Sequence, residues 1–453
     1  MLTYTISELP PPAGADPQAS SDGAGVNAHG VVAGSVAQET PHPGVEEAII
    51  WPESASPTVL DEPPPDTSSW AINDAGDAVG LIRQWGLGLP WHWHAFLYRH
   101  DAGKIEDFSK QLPDPQSFVL DINNDGIVTG ATGVISAGGG GLTMRPFVYE
   151  GNGGSVTLLD PLPGHATAWG FAINEAGHVA GYSAKDDQGQ DPRVFIYRDG
   201  TLEDLGPAQD VRGVNSADVI AGTAMVPLKS AFRLDASAKK PRPELIGPSP
   251  APGFIASQAS GINDEGVVVG WSTDASELNY RAFVDIPSGP DAGFHDLEDV
   301  VVEADGWELR GASGISNSGH IVGFGRYKGK YRGFLLTPAL DYWLKKEFEK
   351  VREVLLGLLV IFGGATVGGP GWGLLPGGKP IPIDPHGPLR ERWEQMTEAE
   401  RDFYLGLAIQ HLDSIVSGDE RGEIVQKAGR QIVESARKEL ESKAQEMKQR
   451  DRN

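Results

Sequence analysis

One ten-residue phrase recurs seven times in this chain and constrains everything else about it. A β-branched or apolar residue precedes Asn, two variable residues and Gly, and three mostly apolar residues then lead to a second Gly. It occurs as GVNAHGVVAG from Gly25, AINDAGDAVG from Ala71, DINNDGIVTG from Asp121 and AINEAGHVAG from Ala172. It continues as GVNSADVIAG from Gly213, GINDEGVVVG from Gly261 and GISNSGHIVG from Gly314. Self-similarity at a period of roughly 20–50 residues defines a repeat array, in which each unit buries its apolar face against the next.

The first turn positions are Asn27, Asn73, Asn123, Asn174, Asn215, Asn263 and Ser316, with spacings of 46, 50, 51, 41, 48 and 53 residues. That period suits four short strands with their turns. The second unit reads as strands at Ser69–Ile72, Ala78–Ile82, Ala95–Arg99 and Lys104–Phe108. The fourth reads as Trp169–Ile173, His178–Tyr182, Val194–Arg198 and Thr201–Leu205. Each run is rich in β-branched, aliphatic and aromatic residues and is bounded by Gly, Asn, Asp or Pro.

The phrase has a mechanical meaning. Asn at the start of a turn hydrogen-bonds backbone amides two residues on. Gly three residues later supplies the positive φ that a four-residue hairpin requires. Only the fifth unit replaces that Gly, with Asp218. The second glycine stands in all seven units, as Gly34, Gly80, Gly130, Gly181, Gly222, Gly270 and Gly323. Glycine inside a strand marks a bulge or a close backbone approach.

The third strands carry a second landmark: His94-Ala95-Phe96, Arg145-Pro146-Phe147, Arg193-Val194-Phe195, Ala231-Phe232, Arg281-Ala282-Phe283 and Arg332-Gly333-Phe334. On these triplets the chain resembles the HAF-repeat family, named for His-Ala-Phe, over about residues 1–340. The triplet is intact only at His94–Phe96, and the first unit has Glu47-Ala48-Ile49 instead. The resemblance implies a repeat scaffold described as extracellular. It implies no activity, because the family's marks are structure-forming residues.

The phase of the repeats predicts how they close. The seventh unit lacks a fourth strand, and Leu2–Leu9 resembles one, so the expected architecture is mainly β. It is a seven-bladed β-propeller over 1–338, closed by the N-terminal strand. An open solenoid is the competing topology. An apolar helix is expected at 339–362, a Gly/Pro-rich linker at 363–390 and an α-helical module at 391–453.

The chain carries 37 Lys and Arg against 62 Asp and Glu, a net charge of −25. From Asp341 onward 17 basic residues nearly balance 19 acidic ones, so almost all of the charge lies on the repeats. Such a surface repels phosphate backbones, which argues against a nucleic-acid partner. The 453 residues include no cysteine, which removes disulfides, thiolate metal sites and cysteine nucleophiles. The opening MLTYTISELPPP has neither the basic start nor the apolar core of a secretory signal. The sequence leaves the cellular address open between the cytoplasm and a signal-independent route of export.

Candidate functional residues are few. Trp85, Trp91 and Trp93 alternate with His92 and His94 in one long connection of the second unit. The ligand-platform reading assigns Trp85, Trp91, His92 and Trp93 to binding a sugar or peptide. The alternative packs the tryptophans between blades and leaves His94 as the triplet residue. Asp121–Gly126 matches the first half of a calcium loop, but its twelfth position is Thr132 rather than Glu. There is no nucleophile elbow, no His-Glu-x-x-His and no metal-ligand spacing, so neither cofactor nor enzymatic activity is expected.

Val354–Gly378 is uncharged for 25 residues, long enough to cross a bilayer but broken by glycines. It reads as a docked helix with a linker, a membrane-inserting hairpin, or a span. Capping boxes at Thr397–Glu400 and Ser417–Glu420 open two further helices. The leading functional expectation is a non-catalytic, monomeric scaffold whose rim binds a protein or carbohydrate ligand, with the helical tail for attachment. The alternatives are an effector whose 354–378 segment enters membranes, and a hydrolase or lyase with acidic groups at the channel mouth.

Overall fold

The computed structural model describes residues 2–339 apart from 17, 39–44, 53–55, 61–65, 85–91, 136–140, 152–153, 226–227 and 303, and beyond them 372–374 and 380–382. The chain divides into two units, Met1–Pro338 and Ala339–Asn453. The first is a seven-bladed β-propeller.

Blades 1 to 6 are four-stranded antiparallel meanders in sequence order. Blade 2 comprises Thr67–Ile72, Ala78–Gln84, His92–Arg99 and Lys104–Asp107. Blade 4 comprises Thr167–Ile173, Val179–Ala184, Arg193–Arg198 and Thr201–Pro207. The expected fourth strand Lys104–Phe108 stops one residue early. Asp107 accepts from the amide of Ser109 at 3.2 Å and starts a short 3-10 turn, which buries Phe108 beneath Phe147 and Tyr149.

Blade 7 is completed by the N-terminus. Tyr4–Leu9 pairs antiparallel with Lys330–Pro338, in the register Tyr4 to Pro338 through Leu9 to Gly333. A two-residue strand, Val301–Val302, then pairs parallel with Tyr4–Thr5, a fifth strand that the repeat pattern does not announce. The closed ring replaces the solenoid alternative.

The repeated phrase is the hinge of every blade. The turn glycines Gly30, Gly76, Gly126, Gly177, Gly266 and Gly319 hold φ between 73° and 85°, and Asp218 takes 59° in the fifth unit. Each second glycine pairs with an aromatic or aliphatic residue on the third strand, as in Gly80 with Phe96, Gly181 with Phe195 and Gly34 with Ile49. The six triplet phenylalanines are fully buried, and the rings of Phe96, Phe195, Phe232 and Phe334 lie over the missing side chain of their partner glycine. On the other side, a Cβ at any of these seven glycines would fall on a first-strand carbonyl oxygen. Close approach to the neighbouring strand, rather than crowding at the propeller axis, is what requires glycine here.

The basic residue of the triplet joins the third strand to the fourth. Arg145 meets Asp160 at 2.7 Å, Arg193 meets Asp204 at 2.7 Å and Arg281 meets Asp296 at 2.8 Å. Arg332 makes the equivalent pair with Glu8 of the N-terminal strand at 2.9 Å. His94 points its Nδ1 at the Ser109 hydroxyl, 3.1 Å away, and at Asp107 beyond it.

Packing between blades supplies the core. One cluster joins Val79, Ala95 and Leu97 of blade 2 to Val119, Ile122, Phe147 and Tyr149 of blade 3. Another joins Ile196 of blade 4 to Ile220, Phe232 and Leu234 of blade 5. Removing one such Phe side chain costs about 3–5 kcal/mol through lost transfer energy and the cavity left behind.

In the second unit, Trp372–Leu374 pairs antiparallel with Pro380–Pro382, so the 363–390 segment expected to be a plain linker contains a short hairpin. The helices expected at 339–362 and 391–453, and the apolar run through Val354–Gly378 apart from 372–374, lie outside the described residues.

Candidate ligand-binding channel

The seven first strands surround a central channel of about 740 Å³. Its wall is set by one irregularity repeated in every blade. Each first strand slips register by one residue three positions before the Asn, leaving Ala24, Trp70, Leu120, Phe171, Arg212, Ser260 and Ser313 unpaired. A bulge re-aims its extra residue and bends the strand. All seven extra residues line the channel.

At one end of the channel the Asn turns form a continuous belt. Asn27 Nδ2 donates to the carbonyl of Asn73 at 3.0 Å, Asn73 to Asn123 at 3.1 Å and Asn123 to Asn174 at 3.1 Å. Asn174 donates to Asn215 at 2.9 Å, Asn215 to Asn263 at 3.1 Å and Asn263 to Ser316 at 3.4 Å. The Oδ1 atoms meanwhile accept amides two and four residues on, as from His29 and Val31 at Asn27. Ser316 has no amide to offer, and Ser318 Oγ donates instead to the carbonyl of Ala28 at 2.7 Å, closing the circle.

Two arcs of backbone-to-side-chain bonds lie beside the belt. The amide of Ala28 donates to Asp74, that of Asp74 to Asn124, that of Asn124 to Glu175, that of Ser216 to Asp264 and that of Asp264 to Asn317, all within 2.8–3.1 Å. These side chains are braces between blades. Asp121, the first residue of the calcium-like segment, spends its two carboxylate oxygens on the amides of Ile122 and Ile173, each at 2.9 Å. Burial outweighs those bonds and pushes its pKa up to about 7. Among the described residues no cluster of His, Cys, Asp or Glu is arranged to hold a metal ion.

Farther from the Asn turns the bulge position carries large apolar residues only in blades 2 to 4, as Trp70, Leu120 and Phe171, against Ala24, Arg212, Ser260 and Ser313 in blades 1 and 5 to 7. Phe118 and Trp169 of the first strands of blades 3 and 4, and Trp271 and Phe324 of the second strands of blades 6 and 7, also line the channel. The aromatic side is continuous. Trp93 packs on Phe118 with ring centroids 5.6 Å apart, and Phe118 on Trp169 at 5.1 Å. Trp169 stacks on Phe171 at 6.0 Å and Phe171 on Tyr182 at 5.6 Å, with interplanar angles of 23° and 17°. The Arg212 guanidinium sits 5.3 Å over the Phe171 ring while its Nε donates to Asp210 at 2.7 Å. Burial raises the pKa of Asp210, with Arg212 opposing the shift.

Across the channel stands Asp22. One of its carboxylate oxygens is sealed from solvent without a hydrogen-bond partner. Burial, with Glu46 nearby, raises its pKa to about 7.

Of the four residues assigned from sequence, Trp85 and Trp91 lie outside the described residues. Trp93 is half-buried, packs between blades 2 and 3 and begins the aromatic run. His92 is half-buried 6.3 Å from His94, edge to face. Sequence reasoning missed Trp70, Phe118, Trp169, Phe171 and Arg212. The available signal was their position: each sits three or five residues before the turn Asn.

No protein-family model matches the chain, and no curated protein matches it. Among solved structures it is similar to the β-propeller domain of the Trilobed protease from Pyrococcus furiosus. That match has 9% identity and a TM-score of 0.47, covering 74% of this chain and 97% of the other. It is also similar to the acylaminoacyl peptidase of Pyrococcus horikoshii at 12% identity and TM-score 0.46, covering 71% and 52% respectively. A putative gluconolactonase matches at 12% identity and TM-score 0.34, covering 74% and 92%.

Proposed function

We propose that this protein is a non-catalytic binding scaffold. Its ring of HAF-like repeats takes a protein or glycan ligand at the aromatic mouth of the channel, and its C-terminal region serves for attachment. The observation that carries this reading is the aromatic lining of the channel. Half-buried Trp70 of blade 2, Trp169 and Phe171 of blade 4, Trp271 of blade 6 and Phe324 of blade 7 face open space, where a purely structural ring would need no aromatic surface. The acidic surface favours ligands without phosphate backbones.

The test is an array of immobilised glycans and peptides probed with the full chain and with Trp169→Ala, both checked for thermal stability. The reading expects binding that the substitution abolishes. Binding indifferent to Trp169, or turnover of a ligand, refutes it.

A further inference from the structure

We propose that the occupant of the channel is a neutral glycan, stacked on Trp169 and gripped by the Asp210–Arg212 pair. The inference rests on the binding reading above and specifies its ligand.

The geometry of the aromatic run sets the shape of what fits. Trp169, Phe171 and Tyr182 are stacked within 17–23° of parallel from one ring to the next, not crossed as in a cage. The C–H face of a pyranose ring is a flat apolar partner that can add to such a stack. The Arg212 guanidinium already lies over the Phe171 ring, which leaves Trp169 as the stacking partner for a ligand.

The polar groups set the chemistry. Asp210 accepts from Arg212 Nε, and the terminal nitrogens of Arg212 have no hydrogen-bond partner among the described residues. Carboxylate and guanidinium side by side offer acceptors and donors together, the complement of neighbouring sugar hydroxyls. Asp22 opposite adds a half-buried carboxyl group to the wall. Arg212 is the one cation lining the channel among the described residues, against the carboxylates of Asp22, Asp121, Glu175 and Asp264. An anionic ligand such as a uronate chain or a nucleic acid is repelled. Neutral hydroxyls are not.

The experiment titrates the full chain, by tryptophan fluorescence and calorimetry, with neutral oligosaccharides of several linkages, an oligogalacturonate and an oligolysine. Trp169→Ala and Arg212→Ala are run in parallel, each with a melting curve. Arg212 is 46% exposed in its side chain, so its variant keeps the fold even if Trp169→Ala loosens blade 4. The expected result is saturable quenching by a neutral oligosaccharide, insensitive to salt and weakened at least about tenfold by Arg212→Ala, the scale of a lost charge-assisted hydrogen bond. A neutral glycan that binds with Arg212→Ala unaffected overturns the site. Binding of oligogalacturonate, oligolysine or an array peptide through Trp169, with no neutral sugar bound, overturns the glycan while the scaffold reading stands. If no glycan or peptide binds at all, both readings fall together.

Discussion

Arg332 and Glu8 are 324 positions apart in the sequence and 2.9 Å apart in the fold, making across the ring closure the same bridge that Arg193 and Asp204 make within blade 4. Arg332 is buried, and its Nη1 also donates to the carbonyls of Ala19 and Tyr331. The N-terminal strand is thus held by the same device that holds any fourth strand.

Arg332→Ala leaves two carbonyls without their donor and an exposed carboxylate without its partner, and it should cost about 1–3 kcal/mol, the scale of unsatisfied buried acceptors. Deleting residues 1–9 exposes the edge of Lys330–Pro338 and should yield dimers or aggregates. Denaturant unfolding measures the first and size-exclusion chromatography the second; a monomeric truncation with unchanged stability would refute the closure.

Gly130→Ala places a methyl group on the carbonyl of Phe118, which cannot move without breaking the bulge. Its expected cost is about 1–3 kcal/mol or more. Gly247 has nothing near its hypothetical Cβ and a φ outside the left-handed region, so Gly247→Ala should be neutral or slightly stabilising. Paired urea midpoints compare the two.

Asp218→Gly restores the residue found in six of the seven turns, yet it should destabilise. Asp218 Oδ1 accepts from Asn174 Nδ2 at 2.9 Å and sits 2.8 Å from His178 Nδ1, while Oδ2 accepts from Arg198 at 2.8 Å. Burial alone would raise its pKa, but His178 and Arg198 outweigh burial and lower it. Its contribution is therefore present at neutral pH and is lost as pH falls through the lowered value. The difference in melting temperature between wild type and Asp218→Gly should shrink in acid; a gain in stability at pH 7 would contradict the bridging role.

His320 sits at the seam between blades 7 and 1, its ring against Gly30 and its Nδ1 2.8 Å from Ser318 Oγ. Burial, with His29 beside it, lowers its pKa to about 4. The unfolded chain takes up this proton near pH 6.5 and the folded one only near 4, so stability falls as pH drops between those values. His320→Gln should flatten that part of the profile. Asp22 and Asp121, raised from 3.8 to about 7, act oppositely and lose stability as pH rises across a similar window. Asp121→Asn combined with His320→Gln, followed by melting against pH, separates the two slopes.

The ring was legible because the turn Asn and the two glycines are dictated by backbone geometry, which leaves the same residue in all or six of the seven copies. The Tyr4–Leu9 closure followed from counting strands. Val301–Val302 escaped because two residues carry no period. The channel wall was hidden for the opposite reason: at the bulge the backbone tolerates anything, so Ala24, Trp70 and Arg212 share a position without sharing a property. Variation along the channel sits where the repeat imposes nothing, while Trp93 packs between blades.

Each Asn amide in the belt points to the following repeat and none points back. The circle therefore has a direction of rotation, and every joint but the last uses interchangeable parts. A unit copied or excised between blades 1 and 6 would meet neighbours already fitted to receive it. At Ser316 and Ser318 the parts differ, so as far as the belt's own bonds go the clasp is the one joint with parts of its own.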